Sequence, residues 1–192
     1  MFHSISAFCN AGIDLMGIRI PFSSLTLYAA NPLVNLVIMA LIIIGGIGFL
    51  TWEDIRSNQL HFSRYRMQSK VILTTTAILI LFPALYFYFG EFRQGSFGIR
   101  LLLSLFQSVT PRTAGFNTAD FSQLSASGQM LTIILMLIGG SPGSTAGGMK
   151  TTTLAVLTAT AVSVFRRNET PELFKRRIAT ETVANAASIL MM

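Results

Sequence analysis

Residues 128–165 limit how this chain can fold more than any other stretch. They form a 38-residue segment with a single charge, Lys150. As one unbroken helix it would run roughly 57 Å, far beyond a hydrocarbon core about 30 Å thick. Something must interrupt it, and residues 139–150, GGSPGSTAGGMK, are where glycine and proline make a helix costly. A break at that depth is tolerated only where the backbone is buried in protein or lines a cavity. The same letters nearly spell two enzyme motifs. Gly139, Ser141 and Gly143 satisfy G-x-S-x-G, and Gly143 to Thr151 misses a phosphate loop only by the inserted Met149.

Neither enzyme reading holds. A nucleophile elbow needs a strand before it and a histidine after it, but His3 and His61 both precede Ser141. A phosphate loop follows a buried strand and opens a helix, whereas TIILMLI precedes this one inside a 29-residue uncharged run, Phe121 to Met149. No enzyme is expected. A third alternative is helix packing through small residues spaced by three or four. It is the favoured reading for Gly45, Gly46 and Gly48.

The rest of the chain is as apolar. It is 52% hydrophobic and 11% charged over 192 residues, against roughly 25% charged in soluble domains. Leu33 to Trp52 and Val71 to Phe89 are further uncharged runs of membrane-span length. The net charge of +6 does not signal nucleic acid, because the basic residues flank the apolar runs and form no patch with interleaved aromatics. They orient the chain instead: Glu53 to Lys70 and Arg166 to Arg177 are basic and cytoplasmic, and Gly90 to Ala126 lies outside. Cys9 is the only cysteine, so disulfides within the chain and cysteine metal clusters are excluded. MFHSISAF lacks the basic start of a secretory signal, and SILMM ends the chain in another apolar run. A piece of a larger membrane protein is therefore expected.

In the outer segment, Ile99 to Val109 is apolar but too short to cross, and TPRTAGFNT follows at once. This is either a re-entrant loop or an amphipathic surface helix. An internal repeat decides for the loop. Phe2 to Ile13, FHSISAFCNAGI, and Phe106 to Phe116, FQSVTPRTAGF, share F-x-S-[IV]-[ST] followed by [NT]-A-G-[IF], with one residue of slippage. Each copy precedes a long apolar run containing a glycine cluster. Glycine allows carbonyls to point inward in conformations other residues avoid, and a ring of carbonyls can replace the hydration shell of a monovalent cation. The short helix before each loop aims its partially negative end the same way. Asp14 and Asp120, just past the loops, either raise cation concentration at the mouth or are ordinary surface charges.

FHSISAFCNAGIDL, SVTPRTAGFNTADF and GGSPGSTAGGMKTTT together resemble the membrane, ion-translocating subunit of bacterial potassium uptake systems of the Trk/Ktr/HKT superfamily, with the Ktr-like branch the nearer match. The resemblance implies an all-α integral membrane fold of four helix, pore-loop, helix repeats around one pseudo-fourfold pore. It places residues 1–69 at the end of the second repeat, with its filter in 1–15, a transmembrane helix over about 32–52 and a cytoplasmic loop over 53–69. Residues 70–167 make the third repeat: a helix over 70–90, pore helix and filter over 99–118, and a broken helix over about 127–165. Residues 168–192 are a cytoplasmic linker and the start of the fourth repeat.

The potassium filter then comprises Cys9, Asn10, Ala11 and Gly12 with Arg112, Thr113, Ala114 and Gly115, acting through backbone carbonyls. Two of four filter segments are absent, so the chain alone should not conduct. Cys9 departs from many relatives, which a backbone ligand tolerates. The gate is the loop of Gly139, Gly140, Ser141, Pro142, Gly143, Ser144, Thr145, Ala146, Gly147, Gly148 and Lys150. Lys150 either hinders a passing cation or snorkels to the cytoplasm. The resemblance further implies potassium as the transported ion, sodium as a candidate modulator, and no covalently bound cofactor. Its partners are membrane lipid, the remaining repeats, a second subunit in a homodimer, and a cytosolic ring of nucleotide-binding regulatory subunits, in the plasma membrane of a bacterium. The alternative is a secondary transporter that binds another solute between broken helices.

Overall fold

A computed structural model of the chain describes residues 1–18, 23–59, 61–167, 170–174 and 176–191; Lys175 of the basic segment lies outside them. Among the described residues the helices are α1 (Phe2–Phe8), α2 (Pro32–Gly46), α3 (Phe49–Asn58), α4 (Met67–Gly90), α5 (Phe97–Val109), α6 (Ala126–Leu137), α7 (Thr151–Phe165) and α8 (Thr180–Met191). A two-residue hairpin, β1 (Glu172–Leu173) with β2 (Arg176–Arg177), is the named sheet in an otherwise helical chain.

Local chemistry explains the helix starts. Asn31 caps α2 by accepting from the N–H groups of Leu33 and Val34 at 3.1 and 3.3 Å, and Pro32 fills the first position, where no donor is needed. Ser125 caps α6 through the Gly128 N–H, and Glu91, at the end of α4, accepts from the Ser125 N–H at 3.0 Å. The start of α4 borrows its cap from α3. Buried Asp54 accepts from the Arg66 N–H at 3.1 Å and the Ser69 hydroxyl at 2.6 Å.

Only α4, 24 residues and about 36 Å long, is by itself long and apolar enough to cross a membrane among the described residues. The expected helix over 32–52 is instead two helices, α2 and α3, bent by 99°, and helical structure continues through Asn58 into the expected loop. The bend has a cause in the hydrogen bonds. In a continuous helix the Gly45 and Gly46 carbonyls would accept from Phe49 and Leu50. Here they accept from the N–H groups of Thr145 at 3.2 Å and Ser141 at 2.9 Å, while the Phe49 N–H donates to the Gly143 carbonyl at 3.1 Å. The break between α6 and α7 thus takes over the bonds that would have kept α2 straight.

α5 packs against α4 and α2, α1 packs against α2, and α7 packs against α4 and α8. The core they enclose includes Ile38 and Ile42 of α2, Ala7 of α1 and fully buried Phe106 and Phe116. Both copies of the repeated motif close onto this core, so their loops meet.

Candidate functional site

The loops after α1 and α5 fold alike because the repeat gives them the same bonds. In the first, the Ala11 N–H donates to the Ser6 carbonyl at 2.9 Å; in the second, the Ala114 N–H donates to Thr110, the residue matching Ser6, at 3.2 Å. The extra residue in the first copy is absorbed between these anchors. Asn10 and Gly12 have φ of +53° and +65°, and Thr113 and Gly115 have +75° and +88°, with Ala11 and Ala114 between them outside that region. Alternating the sign of φ turns successive carbonyls toward one side, and glycine is the residue that adopts the positive value without strain.

The loops then touch at their glycines. A Cβ built on Gly12 would lie 1.8 Å from the Ala114 carbonyl oxygen, and Gly12 Cα lies 3.7 Å from the corresponding point on Gly115. Among the described residues no hydrogen bond reaches the carbonyls of Cys9, Asn10, Ala11, Gly12, Arg112, Thr113, Ala114 or Gly115. Their N–H groups point back at the helix ends, as in Gly115 to Thr110 at 3.1 Å and Cys9 to Ile5 at 2.9 Å. Backbone oxygens left without donors are rare where the residue is buried, as Asn10, Arg112 and Ala114 are, and eight on two facing loops form a surface suited to a desolvated cation. Ala11, Gly115 and the Cys9 side chain are exposed, whereas Ala114, Asn10 and Arg112 are buried. The Thr110 hydroxyl donates to the Phe116 carbonyl and closes the second loop. Beyond the glycines, Leu25 donates to the Asn117 carbonyl at 2.8 Å and Asn117 to the Ser24 hydroxyl at 3.1 Å, joining the two outer segments.

The outer acids are turn caps. Asp14 accepts from the Met16 N–H at 3.0 Å. Asp120 accepts from the Ser122 hydroxyl and N–H at 2.8 and 2.9 Å, and these bonds hold its carboxyl below the usual aspartate range.

Residues 139–150 form a pinched loop on the side of α2 that carries the glycines. Gly139 donates to Met149 at 2.9 Å, Gly140 to Gly147 at 3.2 Å and Thr151 to Gly140 at 3.1 Å, closing its neck. Its tip includes Pro142, Gly143 and Ser144, whose N–H donates to Ser141 at 3.2 Å, and Gly148 re-enters the neck with φ of +69°. Ser141 is fully buried and its hydroxyl pairs with Thr151 at 3.0 Å. The Lys150 ammonium donates to the Ala146 carbonyl at 2.9 Å, so it closes the loop on itself.

Three side-chain links join this loop to the facing pair above. The Thr145 hydroxyl donates to the Phe8 carbonyl at 2.8 Å and accepts from the Asn10 amide at 3.0 Å, and Arg112 Nη2 lies 3.5 Å from the Gly139 carbonyl. Gly45 bears out the sequence-based expectation of helix packing, since a Cβ there would come 1.9 Å from the Phe8 oxygen at the end of α1, and it also lies at the loop, 2.8 Å from Thr145 Oγ1; Gly46 and Gly48 serve the loop instead, Gly46 through its carbonyl and Gly48 by admitting the Pro142 oxygen at 2.7 Å. Small residues beside a second glycine-rich break were the available signal, and it pointed to close approach without naming the partner.

A family model described as TrkH, cation transport protein, matches residues 1–71 and 67–191. The chain is 40% identical over its full length to the potassium/sodium uptake protein NtpJ of Enterococcus hirae, covering 42% of that protein. It is 36% identical over 98% of its length to the Ktr system potassium uptake protein B of Bacillus subtilis, again 42% of that protein. The crystal structure of the potassium transporter TrkH from Vibrio parahaemolyticus superimposes with a TM-score of 0.77 at 21% identity, over 97% of this chain and 40% of that one. The chain thus spans about two fifths of the length of these relatives.

Proposed function

The chain belongs to the TrkH family of cation transport proteins, and from that premise we propose that it supplies two adjacent sides of a four-sided potassium filter together with the gate beneath them. The observation that carries this reading is the pair of facing loops with eight carbonyls that receive no hydrogen bond among the described residues. In a completed pore these oxygens take the place of water around a potassium ion, and the partially negative ends of α1 and α5 add to the attraction. Sodium is the second candidate ion, in keeping with the name of the Enterococcus hirae relative. Residues 139–150 close the path below the filter while bound to α2, and they open it when they leave. The protein is a multi-pass protein of the bacterial plasma membrane. Its complete subunit pairs with a second copy and rests on a cytosolic nucleotide-binding ring, contacted through residues 53–70 and 166–177.

The test uses a complete four-repeat subunit, made by placing this chain in the Enterococcus hirae protein over the aligned segment. The expected result is rubidium uptake that potassium competes with, abolished by Gly115→Ser and raised by deleting residues 143–147. Uptake of an organic solute indifferent to rubidium would instead establish a carrier. Flux unchanged by the deletion would remove the gate.

A further inference from the structure

Behind the filter loops, three residues from three segments, each with an unpartnered polar atom, line one space. Asn10 of the first loop, Arg112 of the second and Thr76 of α4 are 7, 8 and 6% exposed. Asn10 Oδ1, Arg112 Nε and Thr76 Oγ1 each lack a hydrogen-bond partner among the described residues. All three residues line one small pocket of about 10 Å³, whose remaining wall is apolar side chains and glycine. The amide orientation of Asn10 is fixed by its other contacts. Its nitrogen faces Thr145 Oγ1 at 3.0 Å and the Ile42 carbonyl at 3.4 Å, two acceptors that would repel the oxygen.

We propose that this cavity binds one water molecule, which accepts from Arg112 Nε–H and donates to Asn10 Oδ1 and Thr76 Oγ1, and that Arg112 and this water position both filter loops against the gate loop. The volume suits a single water, and three protein partners are the usual number for a buried one. A cation is excluded by the guanidinium, an anion by the Asn10 oxygen, and both by size. The site has a mechanical consequence. Asn10 and Arg112 each hold the water with one atom and the gate loop with another, through Thr145 Oγ1 and the Gly139 carbonyl. Displacement of the loop therefore acts on both filter loops at once, and the coupling is reciprocal.

The water site rests on the chain's own geometry, and its role in ion discrimination rests on the proposed filter. Two measurements on the complete four-repeat subunit separate them. A density map that resolves ordered solvent is expected to show a peak about 2.7–3.2 Å from all three atoms. Those atoms paired directly with one another, and no peak, would overturn the site whether or not the protein transports ions. For the role, Thr76→Val keeps the shape and removes the hydroxyl, and Arg112→Met removes the donor. Each is expected to shift the ratio of rubidium to sodium uptake about fivefold to tenfold, as for loss of one buried hydrogen bond. Thr76→Ser should restore it. Because Arg112→Met already removes the water along with the bond to the Gly139 carbonyl, adding Thr76→Val should shift the ratio no further than Arg112→Met alone. Multiplying effects, or lower total uptake at an unchanged ratio, would reduce these residues to ordinary packing. A parent protein that takes up no rubidium sinks the filter reading and leaves the density test to decide the water.

Discussion

Gly45 and Gly46 are neighbours in α2, and substituting each with alanine should give opposite results. A methyl on Gly45 meets the Phe8 carbonyl oxygen at 1.9 Å, Thr145 Oγ1 at 2.8 Å and Asn10 Nδ2 at 3.0 Å. The first is backbone in the filter loop's approach, so more than 1 Å of main-chain movement is needed to reach an ordinary contact. Overpacking of this kind costs about 1–3 kcal/mol, against a gain of about 1 kcal/mol from replacing a helical glycine. A methyl on Gly46 meets nothing within 4 Å, so only the gain applies. The two variants should therefore differ by about 1–3 kcal/mol in stability. The difference should also appear in function, because the Gly45 methyl pushes on the filter loop and the gate loop together. Thermal unfolding in detergent and rubidium uptake by the complete subunit measure both. Gly46→Ala should melt at or above the parent temperature with normal uptake, and Gly45→Ala should melt lower with leaking or abolished uptake. Equal effects from the two would refute the close approach of Phe8, Thr145 and Asn10 to Gly45.

Other substitutions probe separate joints. Thr145→Val removes the donor to Phe8 and an acceptor for Asn10. It is expected to weaken gate closure by about 1–3 kcal/mol, seen as higher resting uptake with the fold intact by circular dichroism. Asp54→Ala strips the borrowed cap from α4 and should lower stability by about 0.5–2 kcal/mol, while the exposed neighbour Glu53→Ala should leave the melting temperature unchanged. Asp120 is depressed below its ordinary value near 3.8 by the Ser122 bonds. Its contribution to the outer turn is thus present above that value and lost as pH falls through the lower folded one. Protection of the Ser122 amide, its exchange taken relative to the intrinsic rate at each pH, should fall below about pH 4 and become independent of pH in Asp120→Asn.

The parts of this chain that could be read from the sequence obey local rules. Asn31-Pro32 announces the start of α2, and the run behind α4 has the length of a crossing. The twofold F-x-S…A-G pattern works because the alanine N–H needs the same carbonyl in both copies, Ser6 or Thr110. The 99° bend after Gly46 was not legible, because its cause lies about a hundred residues away in Ser141, Gly143 and Thr145. Glycine marks where backbone may come close and leaves the partner unspecified. Arg112 was hidden for a related reason. As a letter it reads as part of the filter motif, and only the fold carries its side chain back to the Gly139 carbonyl. Lys150 had two open readings, as a plug and as a snorkelling side chain; the bond its ammonium makes to the Ala146 carbonyl, four residues earlier, belongs to neither and needed the loop's fold to be seen.

The exchange of bonds between α2 and the loop also limits how the proposed gate can move. Ser141 and Thr145 donate into Gly46 and Gly45, and Phe49 donates back to Gly143. Withdrawal of the loop strands two carbonyls and a donor on the helix and the complementary groups on itself. Where water is scarce each stranded group costs on the order of several kcal/mol, so a partly withdrawn loop is the least favourable arrangement. The docked form is then one discrete state, and opening has to be concerted, with new partners from water or helix replacing all three bonds together. A loop held merely by packing could drift through intermediate positions; one held by exchanged backbone bonds switches. That is the physical use of putting glycines on both sides of the contact: a Cβ on Gly48 would come 2.7 Å from the Pro142 carbonyl oxygen and one on Gly140 3.2 Å from the Gly46 carbonyl oxygen, so either side chain would keep the two backbones apart.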